Sequence, residues 1–251
     1  MDFRPKEYYQ PNNVPETLTL LSKYLGKARI IAGGTDLLVK KPPGIECLID
    51  IACLGLDYIR KTDRGISIGA ATKVEAIENS QLLRQDPFTV LSEAASVMAA
   101  PTIRNMATIG GNICNASRAA DLSVALMALN AVVEIIGSNG SRRLPIGEYF
   151  HDVKKTNLKD DELLVEVNIP QSPAFAGACF LKLRRHQTAV DFAVVNVAVK
   201  LIYNDNFCED VRIAMGAVAK TPIYATEAQN FLVGKKLDFE VIRMAAKLAS
   251  G

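Results

Sequence analysis

The chain has 251 residues, of which 49% are hydrophobic, and a mean hydropathy of +0.13, so it can bury one large core or two to three small ones. Its formal net charge of +2 gives no reason to expect a nucleic-acid partner. No apolar run is long enough to span a membrane, and the first 30 residues lack a signal-peptide pattern, so we expect a cytoplasmic protein without a membrane span.

The cysteine and histidine content argues against several kinds of site. The five cysteines are odd in number and form no CxxC pair, which disfavours a disulfide framework, a zinc ribbon and an iron–sulfur centre. We expect Cys47, Cys53 and Cys208 to be small buried thiols. The only two histidines, His151 and His186, lie in no metal-ligand pattern. We therefore expect neither a metal site nor a histidine-based catalytic triad, and no catalytic side chain is assigned.

The first 55 residues predict a small α/β unit. A helix is expected over 13–25, where Asn13 is a suitable N-cap and leucines recur at helical spacing. The other elements predicted here are a strand over 29–32, a brief helix over 36–40 and a strand over 47–51.

The middle of the chain predicts a mixed unit of sheet and helices. Thr72-Lys73-Val74-Glu75 matches a capping box at a helix start, and Pro101 is expected to end the helix over 89–98. The stretch 102–120 is rich in turn residues, and long structureless stretches inside compact domains are usually functional. The remaining predictions are a hairpin with strands 58–61 and 66–70, a helix over 121–129, and strands over 131–136, 142–144 and 162–169.

A proline-rich joint at 170–173 predicts a boundary before the last part of the chain. An antiparallel meander followed by helices is typical of a separate α+β domain. The strands predicted there are 177–183, 194–203 and 211–218, and the helices are 224–233 and 239–249.

Two glycine pairs stand out in the sequence, one within Ala32-Gly33-Gly34-Thr35-Asp36 and one within Thr108-Ile109-Gly110-Gly111-Asn112. Glycine permits positive φ and brings backbone N–H groups close to a ligand, so two such turns facing each other would hold a diphosphate. The GxGxxG and GxxxxGK[ST] patterns are absent, which disfavours a Rossmann site and a P-loop. The pattern alone leaves phosphate binding and ordinary turns evenly matched.

Polar residues follow the second glycine pair. Asn112, Asn115 and Ser117 supply amides and a hydroxyl suited to a polyol or ribose chain. Asp121 fits the same role, although an acidic residue at the start of a helix also has a purely local explanation, which composition favours.

These motifs, in this order, resemble the FAD-binding subunit of the molybdenum hydroxylases, the family of xanthine, carbon monoxide and nicotinate dehydrogenases. The resemblance covers nearly the whole chain. It also includes Glu162-Leu163-Leu164 before Ile169-Pro170, and Phe180-Leu181-Lys182 before Asp191-Phe192-Ala193. It implies an α+β protein with a vanillyl-alcohol-oxidase (PCMH)-type FAD-binding fold of two subdomains, 1–55 and 56–172, plus a C-terminal antiparallel-sheet and helix domain, 173–251. Since family members usually continue past the last helix, the resemblance implies that the third domain is incomplete or the chain shortened.

The resemblance further implies FAD as the cofactor. By analogy the first turn wraps the pyrophosphate through backbone amides and the second meets it from the other side, while Asp121 bonds the polar periphery of the flavin. Leu164 packs on the isoalloxazine, and Lys182 lies near the ring, where it would stabilise a reduced, anionic flavin; an exposed strand lysine is the alternative. An aromatic residue of some family members aligns with Met98. The implied cofactor-binding residues are Ile31, Ala32, Gly33, Gly34, Thr35, Asp36, Met98, Thr108, Gly111, Asn112, Ser117, Asp121, Leu164 and Lys182.

The function implied by the resemblance is electron transfer within an oxidoreductase. Electrons from a molybdopterin-binding large subunit would pass through a two-iron ferredoxin-like small subunit to FAD, and then to NAD or another acceptor. The heteromeric enzyme would hydroxylate an aromatic heterocycle, a purine or an aldehyde. Two alternatives stay open: a self-sufficient flavin oxidoreductase of the same fold, and a non-catalytic scaffold that no longer holds flavin.

Overall fold

The computed structural model describes residues 3–173, 175–186 and 192–251. Asp191 of the sequence motif noted above lies outside the described residues. The strands are β1 (Glu7–Tyr9), β2 (Ala28–Ile31), β3 (Cys47–Asp50), β4 (Ile59–Thr62), β5 (Gly65–Gly69), β6 (Val132–Gly137), β7 (Gly140–Pro145), β8 (Phe150–Asp152), β9 (Lys155–Thr156), β10 (Leu163–Pro170), β11 (Ala176–Arg184), β12 (Ala193–Asn204), β13 (Phe207–Gly216) and β14 (Ile223–Tyr224). The helices are α1 (Val14–Tyr24), α2 (Leu37–Lys40), α3 (Val74–Asn79), α4 (Thr89–Ser96), α5 (Pro101–Arg104), α6 (Ile109–Cys114), α7 (Asp121–Ala128), α8 (Ile146–Tyr149), α9 (Thr226–Leu232) and α10 (Phe239–Ser250).

The N-terminal part is a three-stranded parallel sheet of order β1-β3-β2 covered by α1. Asn13 caps α1, and its Oδ1 accepts from the N–H of Glu16 at 2.9 Å, as the sequence predicts. Cys47 and Ile49 of the central strand are fully buried. The sheet ends where β2 runs into the first glycine turn, so the small α/β unit positions that turn at its edge.

The middle of the chain forms a five-stranded antiparallel sheet of order β4-β5-β10-β6-β7. The predicted hairpin and the predicted return strand are both present. Helix α7 is buried at every position, including its first residue, Asp121. Such a helix lies inside the core instead of on its surface.

The last part is a four-stranded antiparallel sheet of order β11-β12-β13-β14. One face packs on α7, since Phe180, Ala198 and Ala214 share a hydrophobic core with Leu122 and Leu126. The opposite face packs on α9 and α10. The largest core therefore joins the middle and last parts of the chain, and the division into 1–55, 56–172 and 173–251 stays a prediction.

Several local expectations are wrong. The capping box does not form, because Lys73 is the N-cap of α3 and the Thr72 hydroxyl donates to the carbonyl of Tyr58. Pro101 begins α5 instead of ending α4, a position where its missing N–H costs nothing. The stretch 102–120 contains two short helices, α5 and α6. Cys53 is exposed, whereas Cys47 and Cys208 are buried as expected.

No helix in the described part of the chain is long and apolar enough to cross a membrane.

Candidate functional site

The first glycine turn presents free backbone donors. It follows Ile31 at the end of β2 and runs from Ala32 to Asp36, with Gly34 at φ +69°, where only glycine is unstrained. Among the described residues, the N–H groups of residues 33–36 donate to no oxygen. The turn is half-buried rather than enclosed, apart from the exposed Asp36. Successive N–H groups of this kind form a concave surface suited to an anion.

The two glycine turns lie against each other. A Cβ added to Gly33 would be 2.0 Å from the carbonyl oxygen of Met106 and 2.9 Å from the Cα of Ala107, immediately before the second turn. No side chain fits at that distance, so Gly33 is required for contact between two backbone segments. The structure therefore brings together the two turns that the sequence separates by more than seventy residues.

In the second turn the N–H groups of residues 109–112 are not free, contrary to expectation. The N–H groups of Ile109 and Gly110 donate to the carbonyls of Thr72 and Ala70, at 3.0 and 2.9 Å. The N–H of Gly111 donates to the Thr108 hydroxyl at 3.1 Å, because Thr108 is the N-cap of α6. The N–H of Asn112 continues the helix. What this turn exposes is the bare Cα of Gly111, whose added Cβ would meet only the Thr108 hydroxyl, at 3.0 Å.

Asn112 and Met98 are brought together beside the second turn. The Asn112 side-chain amide lies 3.3 Å from the sulfur of Met98, and its Oδ1 is buried without a partner in the described residues. Arg104 holds the segment before α5 in place, because its guanidinium donates to the carbonyls of Met98 and Ala99 and pairs with Glu78. An unsatisfied buried acceptor is costly, so Asn112 Oδ1 is suited to a donor from a ligand.

Asp121 and Lys182 form a buried ion pair. The Lys182 ammonium lies 2.7 Å from Asp121 Oδ2, and the two side chains are 5% and 4% exposed. Asn196 donates to Asp121 Oδ1 at 2.6 Å, and Lys182 also donates to the carbonyl of Val97. Burial raises the pKa of Asp121, and the nearby charge of Lys182 opposes that shift. The alternative of an exposed Lys182 is wrong, and Asp121 does more than begin a helix.

Leu164 and Ser117 form none of the polar contacts described above. Leu164 is 3% exposed within the core, on β10. Its neighbour Val165 accepts from the N–H of Ala70, whose carbonyl receives the N–H of Gly110. Ser117 lines a cleft of about 420 Å³ between the segment before α7 and the last sheet. Leu164 therefore lies behind the second turn within the core, Ser117 lies on the segment after α6, and their roles toward a cofactor stay predictions.

Two side chains that were not among the predicted site residues, Lys40 and Asn115, bind Asp36 on the first turn. Asp36 pairs with Lys40 at 2.5 Å and accepts from the Asn115 amide at 2.7 Å. Asn115 was recognised only as one of several polar residues after the second turn, and Lys40 carried no signal. Asn196 was also missed, although a polar residue within an apolar strand is a signal that it has a buried partner.

The site suits an organic cofactor that contains a diphosphate. Free N–H groups at residues 33–36 fit the phosphates. The unpartnered Asn112 Oδ1 fits a hydroxyl donor, and the bare Cα of Gly111 permits close approach. Among the described residues, no group of histidine, cysteine and acidic side chains could hold a metal ion.

Matches to known protein families cover nearly the whole chain. A family model described as the FAD binding domain in molybdopterin dehydrogenase matches residues 2–172, and one described as the CO dehydrogenase flavoprotein C-terminal domain matches residues 178–251. The alpha subunit of the 6-hydroxypseudooxynicotine dehydrogenase complex of Paenarthrobacter nicotinovorans is 35% identical, covering 97% of this chain and 83% of the relative. The carbon monoxide dehydrogenase medium chain of Afipia carboxidovorans is 32% identical, covering 97% and 85%.

A solved structure of carbon monoxide dehydrogenase from Hydrogenophaga pseudoflava, which lacks the Mo-pyranopterin moiety of its cofactor, has the same fold. Its TM-score is 0.92 at 30% identity, covering 99% of this chain and 86% of that chain. Fold and site define the class as an FAD-binding oxidoreductase flavoprotein. More particularly, the chain belongs to the FAD-binding subunits of the molybdenum hydroxylase family. The expected family, fold class and cofactor are confirmed.

Proposed function

We propose that this chain is the electron-transfer subunit of a heteromeric molybdenum hydroxylase. A molybdopterin-binding large subunit and a two-iron ferredoxin-like small subunit would be its partners, and NAD or another acceptor would receive the electrons. In support, one relative is the medium chain of carbon monoxide dehydrogenase and another is the FAD-subunit of nicotinate dehydrogenase. All five cysteines are free, which fits a reducing compartment such as the cytoplasm.

FAD, when bound, supplies the redox chemistry, and the protein contributes position, electrostatics and exclusion of water. In our proposal the N–H groups of residues 33–36 bind the diphosphate, and Asn112 Oδ1 accepts a hydroxyl of the ribityl chain. The observation that carries this proposal is the pairing of free donors on the first turn with the close contact between Gly33 and Met106.

The buried pair of Asp121 and Lys182 fixes the last sheet on α7. Through the carbonyl of Val97, Lys182 also holds the end of α4 next to Met98. In our proposal these contacts orient the side of the site that receives the ring. The further roles implied by resemblance, at Ile31, Ala32, Thr35, Ser117 and Leu164, are kept as proposals.

Replacing Gly111 by valine tests this assignment. The substituent would project from the exposed side of the second turn, and valine suits a helix better than glycine, so the apoprotein should fold normally. We expect the dissociation constant for FAD to rise at least about tenfold, measured by flavin fluorescence on titration of the full chain.

The matched control is Gly177→Val in β11, where an added Cβ meets no atom within 4 Å. It should leave FAD binding unchanged. Equal affinities of the wild-type chain and the Gly111→Val variant would contradict the assignment of the second turn.

The two alternatives have separate outcomes. Turnover of small substrates by the isolated chain would favour a self-sufficient oxidoreductase. A colourless chain that cannot be reconstituted with FAD would favour a scaffold.

A further inference from the structure

A lysine far away in the sequence is linked to the first turn through Asn115. Lys154 lies at the tip of the β8–β9 hairpin, in the left-handed conformation at φ 58°. Its N–H donates to the carbonyl of Ala116 at 3.2 Å. This bond ties the hairpin tip to the segment that follows α6.

The side chain of Asn115 connects Lys154 to the turn. Its amide nitrogen donates to Asp36 Oδ2 at 2.7 Å. Its Oδ1 accepts from the ammonium groups of Lys40, at 2.6 Å, and Lys154, at 3.3 Å. Four side chains from three separate segments therefore form one hydrogen-bonded group beside the free N–H groups.

The charges of this group do not balance. Asp36 is compensated by Lys40 at 2.5 Å. Lys154, in contrast, forms no ion pair within the described ranges, and shares an acceptor with another cation. Partial desolvation of the ammonium, together with the charge of Lys40, lowers the pKa of Lys154, and the charge of Asp36 opposes that shift. An anion bound here would relieve this repulsion.

We propose that Lys154 binds the diphosphate of FAD at the first glycine turn. This inference rests on the function proposed above, since it requires the diphosphate to lie on residues 33–36. Lys154, which forms no ion pair in the described ranges, is linked through Asn115 to the turn that carries the free N–H groups. Free N–H groups and an ammonium together suit a dianionic group, and lysine acts on phosphate as a mobile point charge. Lys40 is already occupied by Asp36, so Lys154 is the cation available to the ligand.

The test is a titration of the full apoprotein with FAD, comparing Lys154→Gln with Lys155→Gln. Lys155 is the next residue of the same hairpin, is exposed, and is not part of the hydrogen-bonded group. Both variants lose one positive charge and should melt within about 2 °C of the wild type. We expect the dissociation constant of Lys154→Gln to rise about tenfold, that of Lys155→Gln to stay within about twofold, and Lys154→Arg to restore most of the affinity.

Salt gives a second readout. Raising the ionic strength should weaken FAD binding by the wild type more than by Lys154→Gln, because the variant has already lost the screened attraction. Equal affinities of the two glutamine variants, or an unchanged salt dependence in Lys154→Gln, would overturn the inference. If Lys154→Gln binds normally while Gly111→Val does not, only the role of Lys154 fails and the proposed function stands.

Discussion

The two glycine turns look alike in sequence, yet the structure uses them differently. In the first, the N–H groups of residues 33–36 have no acceptor within the described ranges. In the second, the N–H groups of residues 109–112 are all taken by the chain itself, through Thr72, Ala70 and Thr108. A glycine pair therefore does not by itself indicate free donors; the acceptors nearby decide it.

One glycine of each turn, Gly33 and Gly111, also differs from the other in its surroundings. Gly33 is packed on the backbone of Met106 and Ala107, so it holds the two turns together. Gly111 is exposed and keeps a surface bare. The first turn is thus a surface of free donors supported from behind, and the second is its support, on which the bare Gly111 leaves space for a ligand.

The largest effect should come from Gly33→Val. A Cβ 2.0 Å from the Met106 carbonyl cannot be accommodated without moving one turn away from the other. We expect a loss of about 4 kcal/mol or more in unfolding free energy, a melting temperature lower by about 8 °C or more, and no FAD retention. Thermal unfolding of the apoprotein, with Gly177→Val as the control, measures this.

This result would separate the two glycines. Gly33→Val should lose stability and FAD binding together, whereas Gly111→Val should lose FAD binding alone. If Gly33→Val melts like the wild type, the contact between the turns does not hold the site together.

The next effect concerns the ion pair that joins the start of α7 to the last sheet. In Lys182→Met, Asp121 stays buried without its cation, and about 3 kcal/mol of stability should be lost at pH 7. Since burial already raises the folded-state pKa of Asp121, the unfolded chain releases this proton more readily. Stability is therefore fully present below the ordinary pKa of 3.8 and decreases as pH rises through the higher folded-state pKa.

Urea unfolding at pH 4 and pH 7 tests this prediction. The difference between the two pH values should be larger in Lys182→Met than in the wild type, and Asp121→Asn/Lys182→Met should remove much of it. Lys220→Met, which removes an exposed lysine 3.8 Å from Asp152, should cost less than about 1 kcal/mol. A pH-independent loss in Lys182→Met would show that the carboxylate is not the source of the cost.

The sequence predicts best what depends on local periodicity. Helix α1 with its Asn13 cap and the alternating strand β10 were predicted almost to the residue. Helices α5 and α6, of four and six residues, are too short to show a period, so the segment that contains Thr108 was expected to be irregular.

The candidate site was predictable only in part. The turns carry a glycine signature, but their spare hydrogen-bonding capacity depends on Ala70 and Thr72, which only the tertiary fold brings near. The pairing of Asp121 with Lys182 joins a helix start to a strand 61 residues away, and no local pattern encodes it. Asn115 and Lys154 meet the turn for the same reason.

The smallest expected effect, that of Thr108→Val, tests directly whether the N–H groups of the second turn differ from those of the first. Thr108→Val removes the hydroxyl that accepts the N–H of Gly111, so α6 loses its cap and about 1 kcal/mol of stability. Because the N–H groups of residues 109–112 already have acceptors within the chain, FAD affinity should change less than about threefold. Thr19→Val, which removes an exposed hydroxyl bonded within α1, is the control for losing a hydroxyl elsewhere. Tighter FAD binding in Thr108→Val would mean that the released Gly111 N–H reaches the diphosphate, and that the two turns are more alike than their hydrogen bonds indicate.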